Sequence, residues 1–280
     1  MREPVRLGQP DTAASSAGMG SAQLSGVAPR AGARIRAPKA ADRHSPTSGQ
    51  AGTKASPTVS GMTTPLATTA LSGSPRTRLG RHRERAATDR AALRDVLSEA
   101  LICHLGFIAD GTPVVLPTGY GVDAETMYLH GSVAARPLMT TPGQPVCVTV
   151  TLLDGIVLAR SAFHHSMNYR SAVIFGVPRL VTDATEKARA LECVTEHLAP
   201  GQWAATRQPT RKELAATSVI ALSLDEASVK VRTGPPVDEP EDVAAGGWAG
   251  VLPAVSGWAD PVSAPDVPPG VPVPERVRRR

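Results

Sequence analysis

Apolar and polar positions alternate most clearly in the middle of the chain, in residues 146–181. Residues 146–153 form an alternating, β-branched run, which is typical of a half-buried strand. Asp154-Gly155 follows, and a second apolar run covers 156–161. An Asp-Gly pair between two apolar runs is a strong hairpin signal. The pattern predicts a hairpin that turns at Asp154-Gly155, followed by a third strand over residues 172–181.

The flanking segments predict further strands and three peripheral helices. The helices start at Thr88 or Asp89, at Asp183 and at Thr210, each of which can cap a helix N-terminus. About seven short strands without a regular strand-helix-strand alternation favour an antiparallel barrel over a parallel sheet. The expected fold class is mainly β with peripheral helices (α+β). The flanking strands are predicted over residues 101–109, 112–118, 126–130, 218–224 and 227–232.

Composition divides the chain into three parts. Residues 1–75 are rich in Ala, Ser, Pro and Gly without apolar periodicity, so we expect a disordered tail, with Met62 as an alternative start. Residues 76–234 form the expected folded domain. Residues 235–280 form a Pro-rich, acidic extension, in which 246–253 could dock on the domain.

Charge and cysteine content exclude some function classes. The net charge of +5 lies largely in the two tails and accompanies no nucleic-acid-binding motif, so we expect no specific nucleic-acid partner. No apolar run is long enough to span a membrane, and we expect no membrane association. The three cysteines lie in apolar runs and fit a reduced, cytoplasmic protein.

One segment has the composition of an anion site. Gly131 and Ser132 follow a predicted strand, and Arg136 lies about one helical turn further on. Thr118 and Tyr120 come from a neighbouring hairpin. These side chains and the backbone amides of a following short helix could hold a phosphate, although an ordinary loop would have the same composition.

A second polar cluster precedes the third predicted strand. His164 and His165 are adjacent, and neighbouring strand residues point to opposite faces, so a shared metal ion is not expected. One histidine as an axial haem ligand stays open. Tyr169-Arg170-Ser171 could be a strand edge with a solvated arginine, or could face the edge of a bound planar ring.

Several of these segments together resemble a known family. They are LDGIVLARSAFHHSMNYRSAVIFG at 153–176, VLPTGYG at 115–121, YLHGSVAAR at 128–136, VRTGPPVDEPED at 231–242 and WAGVLP at 248–253. Residues 81–253 resemble the flavin-nucleotide-binding branch of the pyridoxamine 5′-phosphate oxidase-like superfamily, and are similar to the nitroimidazole reductase (Nim) proteins. The resemblance implies an FMN-binding split β-barrel homodimer with FMN at the subunit interface.

The resemblance also implies roles for particular residues. FMN would be bound by one set of residues, and His164 or His165 would border the substrate side as the catalytic candidates. The FMN-binding set is Pro117, Thr118, Tyr120, His130, Ser132, Arg136, Tyr169, Arg170 and Ser171. No metal site is implied.

The expected function is an FMN-dependent oxidoreductase that reduces a small electron-poor or conjugated substrate. NAD(P)H or a deazaflavin would be the electron donor. The alternative is a haem-binding or flavin-storage protein on the same barrel with little turnover. The dense basic pattern of oxidases that act on vitamin B6 is not found here, so pyridoxamine phosphate is not the expected substrate.

Overall fold

The computed structural model describes residues 70–71, 73–135 and 140–278, which form an antiparallel sheet with helices packed against it. The described helices are α1 (Arg90–Glu99), α2 (Ala184–Leu198), α3 (Gln202–Ala205), α4 (Arg211–Ala216), α5 (Pro240–Ala245) and α6 (Glu275–Arg278), with 3₁₀ turns at Arg83–Arg85 and Ala162–His164. Among the described residues, no helix is both long and apolar enough to cross a bilayer.

The sheet contains ten described strands. They are β1 (Ala86–Ala87), β2 (Ile102–Ala109), β3 (Thr112–Asp123), β4 (Thr126–Ser132), β5 (Val146–Leu158), β6 (Ser166–Gly176), β7 (Arg179–Leu180), β8 (Thr217–Ser223), β9 (Glu226–Arg232) and β10 (Gly250–Pro253). The order is β1-β9-β6-β5-β2-β3-β4-β8-β7, and β10 pairs with the second half of β5. The sheet ends at β1 and β7 and is not closed.

The main core lies between α1 and the inner side of this sheet. Asp89 caps α1 by accepting a hydrogen bond from the Ala92 amide (2.7 Å), as the sequence predicts. Leu93, Val96 and Leu97 of α1 are buried against side chains from strands across the whole sheet. Because residues from distant strands share one core, the sheet must wrap around α1. The predicted fold class and the split barrel are therefore confirmed.

The predicted hairpin at Asp154-Gly155 is wrong. β5 continues from Val146 to Leu158 and pairs with β6 on both sides of a β-bulge at Asp154. Asp154 accepts hydrogen bonds from Arg170, including Nε at 3.0 Å from Oδ2. A side chain at Gly155 would lie 2.8 Å from the Leu252 carbonyl oxygen of β10. Asp154 thus forms an ion pair with Arg170, and Gly155 allows β10 to approach β5 closely. The Asp-Gly pair does not form a turn.

A second, smaller core lies between α2 and the opposite side of β4 and β8. Ala190 and Val194 of α2 are buried against Tyr128 and Val219. The helix also approaches β3 closely, because a Cβ at Gly121 would lie 2.6 Å from the Val194 backbone nitrogen. On this side of the sheet, α2 therefore covers β4, β8 and the end of β3.

Two arginines attach the C-terminal extension to the barrel. The buried Arg232 donates to the side-chain oxygen of Asn168, to the Gly234 carbonyl (2.9 Å) and to the Pro235 carbonyl (3.1 Å). Arg160 donates to the Asp238 carboxylate (2.9 Å) and to a backbone carbonyl of the extension. These bonds fix the chain on its way to β10.

Candidate functional site

The side of the sheet that faces away from the α1 core is covered by α2 over β4, β8 and the end of β3; we call the remaining, uncovered part of this side the outer face. Pro117 of β3 pairs with His104 of β2, and His104 pairs with Thr149 of β5. Thr149 pairs in turn with Val173 of β6. Residues directly opposite each other on neighbouring strands share one face. These four side chains therefore form one row across the outer face.

The neighbouring rows contain two residues of the sequence-predicted site. Ser171 of β6 lies between Thr151 of β5 and Lys230 of β9. Tyr169, two residues earlier on β6, pairs with Leu153. These residues lie within β6, which begins at Ser166, and not at the opening of a strand as the sequence pattern predicts.

Large apolar side chains are exposed on the outer face. Soluble proteins seldom leave many such side chains together on one surface unless it binds a ligand or a partner. All of the following are more than a third exposed: Ile102, Ile108, Val115, Leu153, Ile156, Met167 and Leu252. The outer face is therefore the candidate functional surface of the described residues.

Thr118 and Tyr120 lie on the inner side of the same strand. Tyr120 is fully buried, and its hydroxyl lies within hydrogen-bond distance of two carbonyl oxygens, those of Leu97 (2.8 Å) and Ala100 (2.7 Å). His197 Nε2 donates to the same Ala100 carbonyl (2.8 Å). The Tyr120 side chain thus satisfies the C-terminal carbonyls of α1 and does not reach the outer face.

Arg170 also differs from the sequence-based expectation. Its guanidinium is held by the carboxylates of Asp154, with Nη2 at 2.7 Å from Oδ1, and of Glu99 at the end of α1, with Nη2 at 2.8 Å from Oε1. These bonds, first those to Glu99, raise the pKa of Arg170, and they lower the pKa of Glu99. The arginine connects the β5 bulge to α1, and Tyr169 and Ser171 on either side of it belong to the outer face.

In the segment predicted to bind an anion, the backbone amides already donate hydrogen bonds within the protein. The amides of Val133, Ala134 and Ala135 donate to the Ala216 carbonyl (3.1 Å), the Ser132 hydroxyl (3.1 Å) and the Ser132 carbonyl (2.8 Å). These amides are therefore not available to an anion, contrary to the sequence-based expectation. Arg136 and most of the predicted short helix lie outside the described residues.

A buried serine at this end of the barrel was missed by the sequence patterns. β3 and β4 separate beyond the Tyr120–Leu129 pair, and Gly131 of β4 then pairs with Ser218 of β8. Ser218 is buried, and its hydroxyl has no hydrogen-bond partner within the part of the chain that the structure describes. A buried hydroxyl without a partner is costly. Strand alternation places it on the α1 side of β8, because the neighbouring Val219 belongs to the α2-side core. The local sequence gives no signal that this serine, which pairs with a glycine, is buried without a partner.

His130 is placed away from the outer face. It pairs with Val219, a residue of the α2-side core. Its Nδ1 is buried without a hydrogen-bond partner among the described residues, and burial lowers the pKa of the ring.

His164 and His165 lie immediately before β6 and differ in their contacts. His164 lies edge-on to the Phe163 ring, with 5.2 Å between ring centroids, and its Nε2 is 3.6 Å from Glu239 of the extension. His165 is exposed, and its Nδ1 is 2.9 Å from the Ser161 carbonyl oxygen. The extension therefore lies beside the histidine pair. The sequence patterns did not predict this contact, because Glu239 is far from His164 along the chain.

Comparison with known proteins identifies the family. A family model described as pyridoxamine 5′-phosphate oxidase matches residues 89–231, slightly more than half of the chain. None of the curated proteins matches the chain.

Solved structures extend the likeness. The flavocytochrome Anf3 of Azotobacter vinelandii is 38% identical over 75% of this chain and 98% of its own, with a TM-score of 0.71. An FAD and haem binding protein of Mycobacterium smegmatis is 40% identical over 70% of this chain and 96% of its own, with a TM-score of 0.68. A candidate 5-nitroimidazole antibiotic resistance protein of Bacteroides thetaiotaomicron is 23% identical over 52% of this chain and 86% of its own, with a TM-score of 0.44. Because the family model covers more than half of the chain, the chain belongs to the pyridoxamine 5′-phosphate oxidase family.

Proposed function

We propose that the protein is an oxidoreductase that binds a flavin nucleotide and a haem and passes electrons between them. The observation that carries the proposal is the exposed outer face of the split barrel, in a chain related over most of its length to a flavocytochrome and to an FAD and haem binding protein. The family resemblance implies FMN, whereas the Mycobacterium smegmatis relative is described as binding FAD. Mass spectrometry of the extracted flavin decides between the two.

The described residues fit a flavin. An isoalloxazine ring needs an apolar surface with few polar contacts, and the outer face offers Val173 and Pro117 beside the hydroxyls of Thr149 and Ser171.

The proposal includes a homodimer, in which the outer faces of two copies enclose the flavin. The exposed apolar side chains of the outer face support this arrangement, because contact with a second copy would remove them from water. It would also exclude water from the ring.

The flavin, when bound, supplies the hydride or electron transfer. The protein then orients the ring, and its side chains determine which substrates approach it. Tyr169 lies on β6 between the ring-binding row and the histidine pair, so His164 and His165 border the open side where a small electron-poor substrate could enter. A catalytic role for either histidine is part of the proposal.

Electron flow tests this function. Protein loaded with flavin and haem is mixed anaerobically with NADH, NADPH or a reduced deazaflavin, and both absorption spectra are followed. The proposal predicts that the flavin is reduced first and the haem afterwards. Haem reduction at the same rate in protein without flavin would contradict it.

A charge on the outer face should separate the subunits and release the flavin. Val115→Glu places a carboxylate on a residue that is 63% exposed on this face, and burying it in an interface is costly. We expect flavin affinity to fall at least about tenfold, equivalent to about 1.4 kcal/mol, and the dimer to dissociate. Fluorescence titration and light scattering measure the two effects.

Val237→Glu is the matched control. Val237 is 76% exposed and lies in the C-terminal extension, outside the strands that form the outer face. Its replacement should leave flavin affinity and subunit mass unchanged. Equal effects of the two substitutions would argue against the outer face as the flavin and dimer surface.

A further inference from the structure

A cavity lies at the β1 edge of the sheet, beside the main core. Its volume is about 310 Å³, which is within the usual range of small-molecule sites. Ala227 and Val229 of β9 line it and belong to the main core, and Leu71 and Ala87, which also line it, pack against the same core. The cavity therefore adjoins the α1 side of the sheet, whereas the proposed flavin surface is on the outer face.

The segment beside the cavity, residues 73–85, is fixed at both of its ends. Ser74 and Arg76 donate to the Glu226 carboxylate at the start of β9, with Arg76 Nε at 3.0 Å from Oε1. At the other end, β1 pairs with β9. The walls of the cavity are thus held by contacts within the protein, as in a site that is formed before its ligand binds.

Arginines are concentrated in this segment. Residues 76–85 hold five arginines and one acidic residue, Glu84. Arg76 pairs with Glu226, and Glu84 lies 3.7 Å from Arg85. The remaining three have no acidic partner among the described residues: Arg78, Arg81 and Arg83. The first and the last of these line the cavity, so its lining carries two positive charges that no described carboxylate neutralises.

The rest of the lining is mostly aliphatic. Leu71, Leu79, Ala87 and Val229 contribute to it, and no aromatic side chain of the described residues does. A planar ring is usually bound against aromatic side chains, whereas an alkyl chain packs well on aliphatic ones. Arginines next to such a surface favour an anionic head group, which can accept two parallel hydrogen bonds from a guanidinium.

We propose that this cavity binds a small molecule in which a carboxylate or phosphate head group is attached to an alkyl chain. Arg78 and Arg83 bind the head group, and the chain packs on the aliphatic lining. The N-terminal tail does not have this chemistry, because residues 1–69 hold eight Lys and Arg against three Asp and Glu and would be repelled by the two arginines. The site depends on neither the flavin nor the haem.

Isothermal titration calorimetry of the full chain tests the site, with octanoate and octyl phosphate as the probes. We expect both acids to bind, and the tighter of the two identifies the head group. Octylamine and octanol, which carry the wrong charge or none, should bind at least about tenfold more weakly. From hexanoate to octanoate, affinity should rise about fourfold for each methylene group that is buried. Equal binding of octylamine, or binding of neither acid, would overturn the proposal.

Substitution of the two cavity arginines tests the head-group site. The double variant Arg78→Gln/Arg83→Gln should bind the preferred acid at least about tenfold more weakly. Arg81→Gln is the matched control, because Arg81 is an unpaired arginine of the same segment that does not line the cavity. Wild-type affinity in the double variant, or an equal loss in Arg81→Gln, would refute the role of the two arginines.

Filling the cavity tests where the alkyl chain lies. Gly73 lines the cavity, and nothing lies within 4 Å of a Cβ at this position, so the ring in Gly73→Phe can occupy the space without displacing the protein. We expect this variant to lose at least about tenfold in affinity for octanoate. Gly80→Phe, a change at an equally open position outside the lining, should bind octanoate as the wild type does. The same affinity in both variants would place the acid elsewhere.

Discussion

Gly121→Ala should lower the melting temperature by about 5 to 10 °C. The added Cβ would lie 2.6 Å from the Val194 nitrogen and 2.7 Å from the Cys193 carbonyl carbon, both of them backbone atoms of α2. Backbone cannot move aside as a flexible side chain can, so α2 must shift away from β3. Overpacking of this kind costs about 2 to 3 kcal/mol, which corresponds to this temperature range in a domain of this size.

Differential scanning calorimetry of the full chain measures the change. Gly257→Ala is the matched control, because nothing lies within 4 Å of a Cβ at that position and its φ is not positive. If both variants melt at the wild-type temperature, α2 does not pack on β3 as described.

Arg232→Ala should lower the free energy of unfolding by about 2 to 4 kcal/mol. The buried guanidinium donates to Asn168 and to the carbonyls of Gly234 and Pro235. Its removal leaves the Asn168 side-chain oxygen and the Pro235 carbonyl without this donor, whereas Asn168 Nδ2 still donates to the Gly234 carbonyl (3.2 Å). Arg232→Lys should rescue little, because an ammonium cannot reproduce the planar arrangement of donors. Urea denaturation measures the loss.

The same variant should also release the extension. Limited proteolysis should cut Arg232→Ala after residue 234 faster than the wild type, because the bonds that hold the extension at this point are gone. Arg207→Ala is the control, since its ion pair with Glu213 is exposed and should not change stability measurably. Unchanged stability and proteolysis of Arg232→Ala would show that the extension is held elsewhere.

Local patterns predicted the parts of the fold that depend on neighbours in sequence. Asp89 caps α1, Asp183 caps α2 by accepting from the Glu186 amide (2.7 Å), and Thr210 and Glu213 form the capping box of α4. The apolar spacing in α1 placed its buried residues correctly, because a helix shows its buried face in the spacing of a few residues.

The bulge at Asp154 could not be read from its neighbours. The Asp-Gly pair has the composition of a turn, but Arg170, 16 positions later, draws the carboxylate inward and β10 packs on Gly155. Both partners are distant in sequence, so the local signal was overridden by tertiary contacts. With β6 starting at Ser166, Tyr169 and Ser171 lie inside a strand.

The candidate site was predicted only in part, because some of its residues are placed by contacts that are distant in sequence. Pro117, Tyr169 and Ser171 lie on the outer face, while Tyr120 belongs to the core, since its burial depends on α1 carbonyls about 20 residues away. His104 and Thr149 were missed, although alternation along β2 and β5 would have placed them beside Pro117 once the register was known. Which of these residues contact a cofactor stays a prediction.

The absorption spectrum of the full-length protein tests the central claim most directly. The protein is incubated with flavin and haem, freed of unbound ligand by gel filtration, and its extracted cofactors are quantified. The account predicts that flavin and haem both co-elute with the chain, in about equal amounts. A protein that elutes colourless, or retains only one of the two, would contradict it.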